Sequence, residues 1–122
     1  MRCESNKPKV LVIDDDRMVA DTLAEILRMH GFFPVPLYSG EQAIEYVEGF
    51  QPDIVLTDIR MSRVDGIEAA RTIRNLHPEC RVILFTASTV SSMTKKVIEG
   101  EGFELLQRPL HPKNVLSALR RQ

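Results

Sequence analysis

Three short apolar runs constrain the fold more than anything else in the chain: Val10–Ile13, Ile54–Leu56 and Val82–Phe85. Each is rich in β-branched residues, is bounded by charge, proline or turn residues, and has no polar residue at every second place. A segment that is apolar on both faces needs cover on both faces. That is the situation of a parallel strand with helices above and below it. Two weaker strand candidates are Phe32–Leu37 and Phe103–Gln107. The first carries Pro34 and Pro36, so it belongs at a sheet edge, where a missing N–H is tolerated.

Helical spacing fills the intervals. Val19, Leu23, Ile26 and Leu27 recur on one face, and Gly31 follows as a stop. Ser39 with Gln42, and Asp65 with Glu68, have the spacing of capping boxes ahead of apolar stripes. Pro112 suits the first turn of a last helix carrying Val115, Leu116 and Leu119. Residues 88–100 form the poorest helix candidate, with an apolar stripe of only Val90, Met93, Val97 and Ile98, and are expected to be the most easily moved element. The count is five strands alternating with five helices: an α/β chain with a parallel sheet and right-handed crossovers. Such sheets bind ligands beyond the carboxyl ends of their strands.

The 122 residues fit one domain, read as a tail over 1–8 and a folded unit over 9–122. With 16 basic and 17 acidic residues, the chain offers no overall charge argument for direct nucleic-acid or anionic-membrane binding. No apolar run approaches the ~20 residues of a membrane span. Cys3 and Cys80 lack metal-ligand spacing, and a reduced cytoplasmic setting is expected.

The strand ends carry the chemistry. Asp14, Asp15 and Asp16 follow the first apolar run, Asp58 the next, Thr86, Ala87 and Ser88 the third, and Arg108 with Pro109 the last candidate strand. Two carboxylates ~4 Å apart repel by roughly 4 kcal/mol at an effective dielectric of 20. A cluster of them on one sheet rim calls for a hard divalent cation. Magnesium takes one or two carboxylates with waters and phosphate oxygens. Asp16 has a simpler reading, as N-cap of the following helix.

In their order and spacing, Asp14–Asp15, the stretch from Asp58 to Gly66, Thr86–Ala87 and Arg108–Pro109 resemble the receiver domain of two-component response regulators, over about residues 8–120. The resemblance implies a flavodoxin-like three-layer sandwich with strand order 2-1-3-4-5. It implies Asp58 as phosphoacceptor, and Asp15, Asp58 and the backbone carbonyl of Arg60 as direct magnesium ligands. Asp14 would act through water, Thr86 would hydrogen-bond a phosphoryl oxygen, and Arg108 would stand where the family has lysine. The implied partners are a sensor histidine kinase or phosphotransfer protein and a downstream protein target. Such a domain assists its own phosphorylation and dephosphorylation without being an enzyme of turnover. No output domain is expected after the last helix, so the signal is expected to leave by protein contact or through a separate partner, with a weak homodimer through the last helix–strand–helix face as one form of it.

Four residues depart from the family pattern: Arg108 for lysine, Leu105 for an aromatic, Ser62 for proline and Glu101 for glycine. Arginine is a planar fork where lysine is a point charge. It could pair with phosphate, or with Asp58 in an off-state. The alternative reading is therefore an unphosphorylated docking module. A haloacid-dehalogenase-type phosphatase is a weaker alternative, resting on Asp14 and Asp16 in "VIDDD", and leaves Asp58 unexplained. A flavin carrier would need hydroxyls where Asp14 and Asp15 stand.

Overall fold

In the computed structural model, which describes residues 7–61, 65–86, 90–106 and 111–120, strands and helices alternate without exception. The order is β1 (Lys9–Ile13), α1 (Arg17–Met29), β2 (Phe33–Leu37), α2 (Gly40–Phe50), β3 (Ile54–Asp58), α3 (Gly66–Leu76), β4 (Arg81–Phe85), α4 (Ser92–Gly100), β5 (Glu104–Leu106) and α5 (Pro112–Arg120). The five strands form one sheet in the order β2-β1-β3-β4-β5, and every neighbouring pair is parallel.

The doubly apolar runs have the expected cause. Val10, Val12, Leu56, Ile83 and Phe85 face α1 and α5, while Leu11, Ile13, Val55, Val82 and Leu84 face α2, α3 and α4. Most of these side chains are fully buried, and each such Val, Leu or Ile contributes about 1.5–3 kcal/mol through burial. The result is three layers, with every strand end on the carboxyl side opening on the same rim.

The edge strand β2 has a further property. The Phe33 N–H donates to the Pro8 carbonyl and the Leu37 carbonyl accepts from the Asp14 N–H, so odd residues of β2 face β1. Pro34 and Pro36 therefore face the open edge, and both missing donors are missing there. Such an edge gives an incoming strand little to pair with. Phe32 stands just outside the strand, because its N–H closes the end of α1 on the Leu27 carbonyl, and Gly31 takes the left-handed turn between them (φ 92°). Phe103 also lies outside its strand; its buried ring sits under the Arg74 guanidinium, 5.0 Å away.

The caps form as the spacing predicts. Ser39 accepts from the Gln42 N–H at 3.1 Å, Asp65 from Glu68 at 2.9 Å, and Asp16 from Met18 at 3.1 Å. Helix α4 is the weakly held element: Ile98 is its one buried residue, while Met93 is 77% and Val97 39% exposed. Lys95 and Lys96 lie exposed on its outer side. Cys80 is buried as a free thiol, and no described helix is long and apolar enough to cross a membrane.

Candidate functional site

The acidic rim is built by the backbone. Asp14 continues the β1 ladder, with its N–H on the Leu37 carbonyl at 3.1 Å, and this holds its side chain almost out of water at 4% exposure. The chain then turns into α1. In that turn the Asp16 N–H donates to Asp14 Oδ1 at 2.9 Å. Asp15 is left exposed beside it. Asp58 closes β3, in register with Phe85 of β4, and is half-buried. Its Oδ1 accepts a long 3.4 Å bond from the Arg60 N–H. The Ile59 N–H donates to the Phe85 carbonyl at 2.9 Å, so the peptide after Asp58 is fastened to β4.

These elements bring Asp14, Asp15 and Asp58 together, with one carboxylate oxygen from each inside a 4.8 Å circle. Thr86 follows Phe85 directly at the same rim and is 3% exposed. Arg60 lies exposed beyond Asp58. Arg108, Pro109, Ala87, Ser88 and Ser62 lie outside the described residues.

The electrostatics follow from crowding. Asp14 is pushed up to about 7, first by burial and then by the charges of Asp58, Asp15 and Asp16, against the opposing pull of the Asp16 N–H. Asp58 is also raised, by burial first and then by Asp15, while the N–H groups of Arg60 and Ile59 and a hydrogen bond with Asp14 work against the rise. Three hard oxygen donors gathered at one point, with the ionised forms of Asp14 and Asp58 disfavoured, make a set that a divalent cation completes. The residues present fit magnesium on the chemistry of that donor set. A cleft of about 490 Å³ runs from the three carboxylates along α1 past Met18 and Thr22.

Some supports of the rim were not evident from the sequence pattern. The Gly66 N–H donates to the Ile59 carbonyl at 2.8 Å and seats the start of α3 behind Asp58. Its sign is the Asp65–Gly66 pair at the head of a helical stripe, a glycine where a better helix former would be expected. Tyr38 donates to Asp21 at 2.6 Å and carries the Arg17 guanidinium 4.2 Å over its ring. Of the departures from the family pattern, Glu101 is engaged: both its oxygens accept from Arg71 Nε, at 2.9 and 2.7 Å, which ties the end of α4 to α3. Leu105 is packed on the α2–α3–α4 side of the sheet.

Comparison with known proteins bears out the family resemblance and the fold. The family described as the response regulator receiver domain matches residues 10–120. The response regulator MprA of Mycobacterium ulcerans is 27% identical over 112 residues, covering 92% of this chain and 48% of that protein. The transcriptional regulatory protein DegU of Brevibacillus brevis is 28% identical over 117 residues, covering 94% and 50%. The chain thus spans about half the length of these curated relatives. Among solved structures, the chemotaxis protein CheY4 of Vibrio cholerae superimposes with a TM-score of 0.87 at 22% identity, over 94% of this chain and 98% of that one, which is a likeness of fold.

Proposed function

The chain belongs to the response regulator receiver domain family of two-component systems, and from that premise we propose that it is a switch thrown by phosphorylation of Asp58. The observation that carries the reading is the convergence of Asp14, Asp15 and Asp58 oxygens within 4.8 Å at the rim where β1, β3 and β4 end. The donor is a sensor histidine kinase or a phosphotransfer protein, and the setting we propose is the cytoplasm.

A carboxylate is a weak nucleophile, so positioning and charge neutralisation supply most of the catalysis. An Asp58 oxygen forms the new bond to phosphorus while the donor's bond to phosphorus breaks. The Arg60 N–H holds the Asp58 carboxylate, and it and the nearby Ile59 N–H favour its ionised, attacking form. Asp15, Asp58 and the Arg60 backbone carbonyl would hold magnesium directly and Asp14 through water. When bound, the ion neutralises the phosphoryl oxygens and offsets the repulsion among the carboxylates. The Thr86 hydroxyl donates to a phosphoryl oxygen, and Arg108 adds a cation on the same group.

The readout is proposed to be a shift of the weakly anchored helix α4, whose exposed Met93 and Val97 then meet a downstream protein. A weak homodimer through α4, β5 and α5 would use the same surface. The response regulator MprA and the transcriptional regulatory protein DegU are longer proteins, and what they do in full is theirs.

The test is incubation with magnesium and a small phosphodonor, followed by intact mass. Wild type is expected to gain one phosphoryl group and Asp58→Asn none. Arg108→Lys serves as the comparison for the departure at that position. An unmodified wild type at saturating donor overturns the switch. If partner binding is also indifferent to donor and to Asp58→Asn, the docking-module reading takes its place, and the packed Leu105 then reads as part of a fixed face.

A further inference from the structure

Arg17 directly follows three carboxylates, Asp14, Asp15 and Asp16, yet among the described residues it enters no ion pair. Its guanidinium lies over the Tyr38 ring instead, 4.2 Å from the centre. The rim beside it is short of positive charge. Burial first, and then the neighbouring charges, push Asp14 up to about 7, and Asp58 is raised too. An exposed arginine side chain is long enough to turn back over two residues, so its place on the ring needs a cause.

The ring is held from two sides. The Tyr38 hydroxyl donates to Asp21 of α1 at 2.6 Å, and the Tyr38 N–H donates to Gln42 Oε1 of α2 at 2.9 Å. Leu37, the residue before it, accepts the Asp14 N–H. The ring therefore stands beside the turn that carries the carboxylates, fastened to both helices. Asp21 is four places on from Arg17 and shares its side of α1, so its charge also favours the guanidinium where it is.

The carboxylates near Arg17 are not equivalent. Asp14 is buried and accepts from the Asp16 N–H, while Asp16 accepts from the Met18 N–H as the cap of α1. Asp15 is exposed, and one of its oxygens belongs to the group within 4.8 Å. A guanidinium is a planar fork that grips a carboxylate through two bonds. Laid on Asp15, it would take up the oxygens that a divalent ion needs. A stacked cation and an exposed ion pair are of comparable strength, so a ring fixed in place can decide between them.

We propose that Tyr38 is a positioning residue of the acidic rim: by carrying the Arg17 guanidinium on its ring, it keeps that cation off Asp15 and leaves the carboxylates to a divalent ion. This role rests on the reading of the rim as a magnesium site.

The test titrates magnesium alone into the full isotope-labelled chain and reads affinity from the amide shifts of residues 14–17 and 58–60. Tyr38→Leu, which changes no charge, should bind about fivefold more weakly. Arg17→Gln should bind at least as tightly as wild type, and Tyr38→Leu/Arg17→Gln should match Arg17→Gln within about twofold. Tyr38→Phe keeps the ring and should lose less than Tyr38→Leu. Circular dichroism checks that each variant keeps its fold. Wild-type affinity in Tyr38→Leu, or a larger loss in Tyr38→Phe, overturns the proposal. So does an Arg17→Gln weaker than wild type, or a double variant as weak as Tyr38→Leu, since the ring would then act by packing and not through Arg17. The Arg17 Nε–H resonance gives a metal-free reading. It should respond to Asp15→Asn far more in the Tyr38→Leu background than in wild type, and an equal response in the two backgrounds overturns the proposal. If wild type takes up no magnesium, the metal reading of the rim fails, while this resonance still decides whether Tyr38 keeps the guanidinium off Asp15.

Discussion

Gly66 presses against the backbone of Asp58 so closely that a methyl group in place of its hydrogen would stand 1.9 Å from the Asp58 carbonyl oxygen and 2.8 Å from the carbonyl carbon. The obstacle is main chain, which cannot rotate aside. Gly66→Ala must therefore displace either α3 or the end of β3. We expect a loss of at least about 2 kcal/mol in chemical denaturation, from overpacking against backbone, and a fall in phosphodonor uptake with it.

The acidic rim makes the metal-free protein sensitive to pH in a stated direction. Asp14 is raised from 3.8 to about 7, by burial before the neighbouring charges, and Asp58 is raised in the same sense. Between those values the folded state holds a proton that the unfolded chain has lost. The associated stability is present below the ordinary carboxylate value and is lost as pH climbs through about 7. In the presence of a chelator, the melting midpoint should fall across this range more steeply in wild type than in Asp14→Asn. Above the range the variant should be the more stable, by on the order of 4 kcal/mol. Magnesium should raise the wild-type midpoint increasingly over the same interval, since it binds the ionised forms. Parallel pH profiles for the two proteins would count against this account.

Pro34 and Pro36 both face the open side of β2, so replacing them restores donors only there. Pro34→Val/Pro36→Val is expected to leave the monomer folded and make it self-associate with concentration. Sedimentation velocity reads this directly. A variant that stays monomeric would mean that something besides the missing N–H groups protects the edge.

Arg81 joins three elements near the amino ends of the strands. It pairs with both oxygens of Glu104, at 2.6 and 2.8 Å, and donates to the last carbonyls of α5, at Leu119 (3.1 Å) and Ala118. Arg81→Met strips the cation from a half-buried carboxylate and from a helix C-terminus, both of which favour positive charge. A cost of about 2 kcal/mol is expected in denaturant titration, with Glu104→Gln costing less.

How far the sequence reaches can be judged residue by residue. Runs that are apolar on both faces have few solutions, so the positions and burial of β1, β3 and β4 follow from them almost directly. The rim carboxylates were legible for the same reason: each comes right after a strand, and parallel strands end together. Caps such as Ser39 and Asp65 act within one turn and need only local spacing. What local spacing cannot carry is pairing across the fold. Arg71 and Glu101 are thirty positions apart, and nothing in either neighbourhood announces the other. Gly66 appears in the sequence as part of an Asp–Gly pair, but its reason is a carbonyl eight residues back that comes close only when α3 packs. Phe32 and Phe103 have strand-like side chains, yet helix closure claims the Phe32 N–H and a cation above its ring accompanies the buried Phe103 outside β5.

Helix α4 is held by Ile98 near its carboxyl end, with Glu101 pinned to Arg71 just beyond. That arrangement is a lever with its fulcrum at one end. Ser92 lies six residues away, about 9 Å along the axis, so a tilt of roughly 10° moves that end by about 1.5 Å while the anchor stays put. In the switch proposed above, a disturbance at the rim too small to repack the sheet would become a displacement wide enough for another molecule to feel.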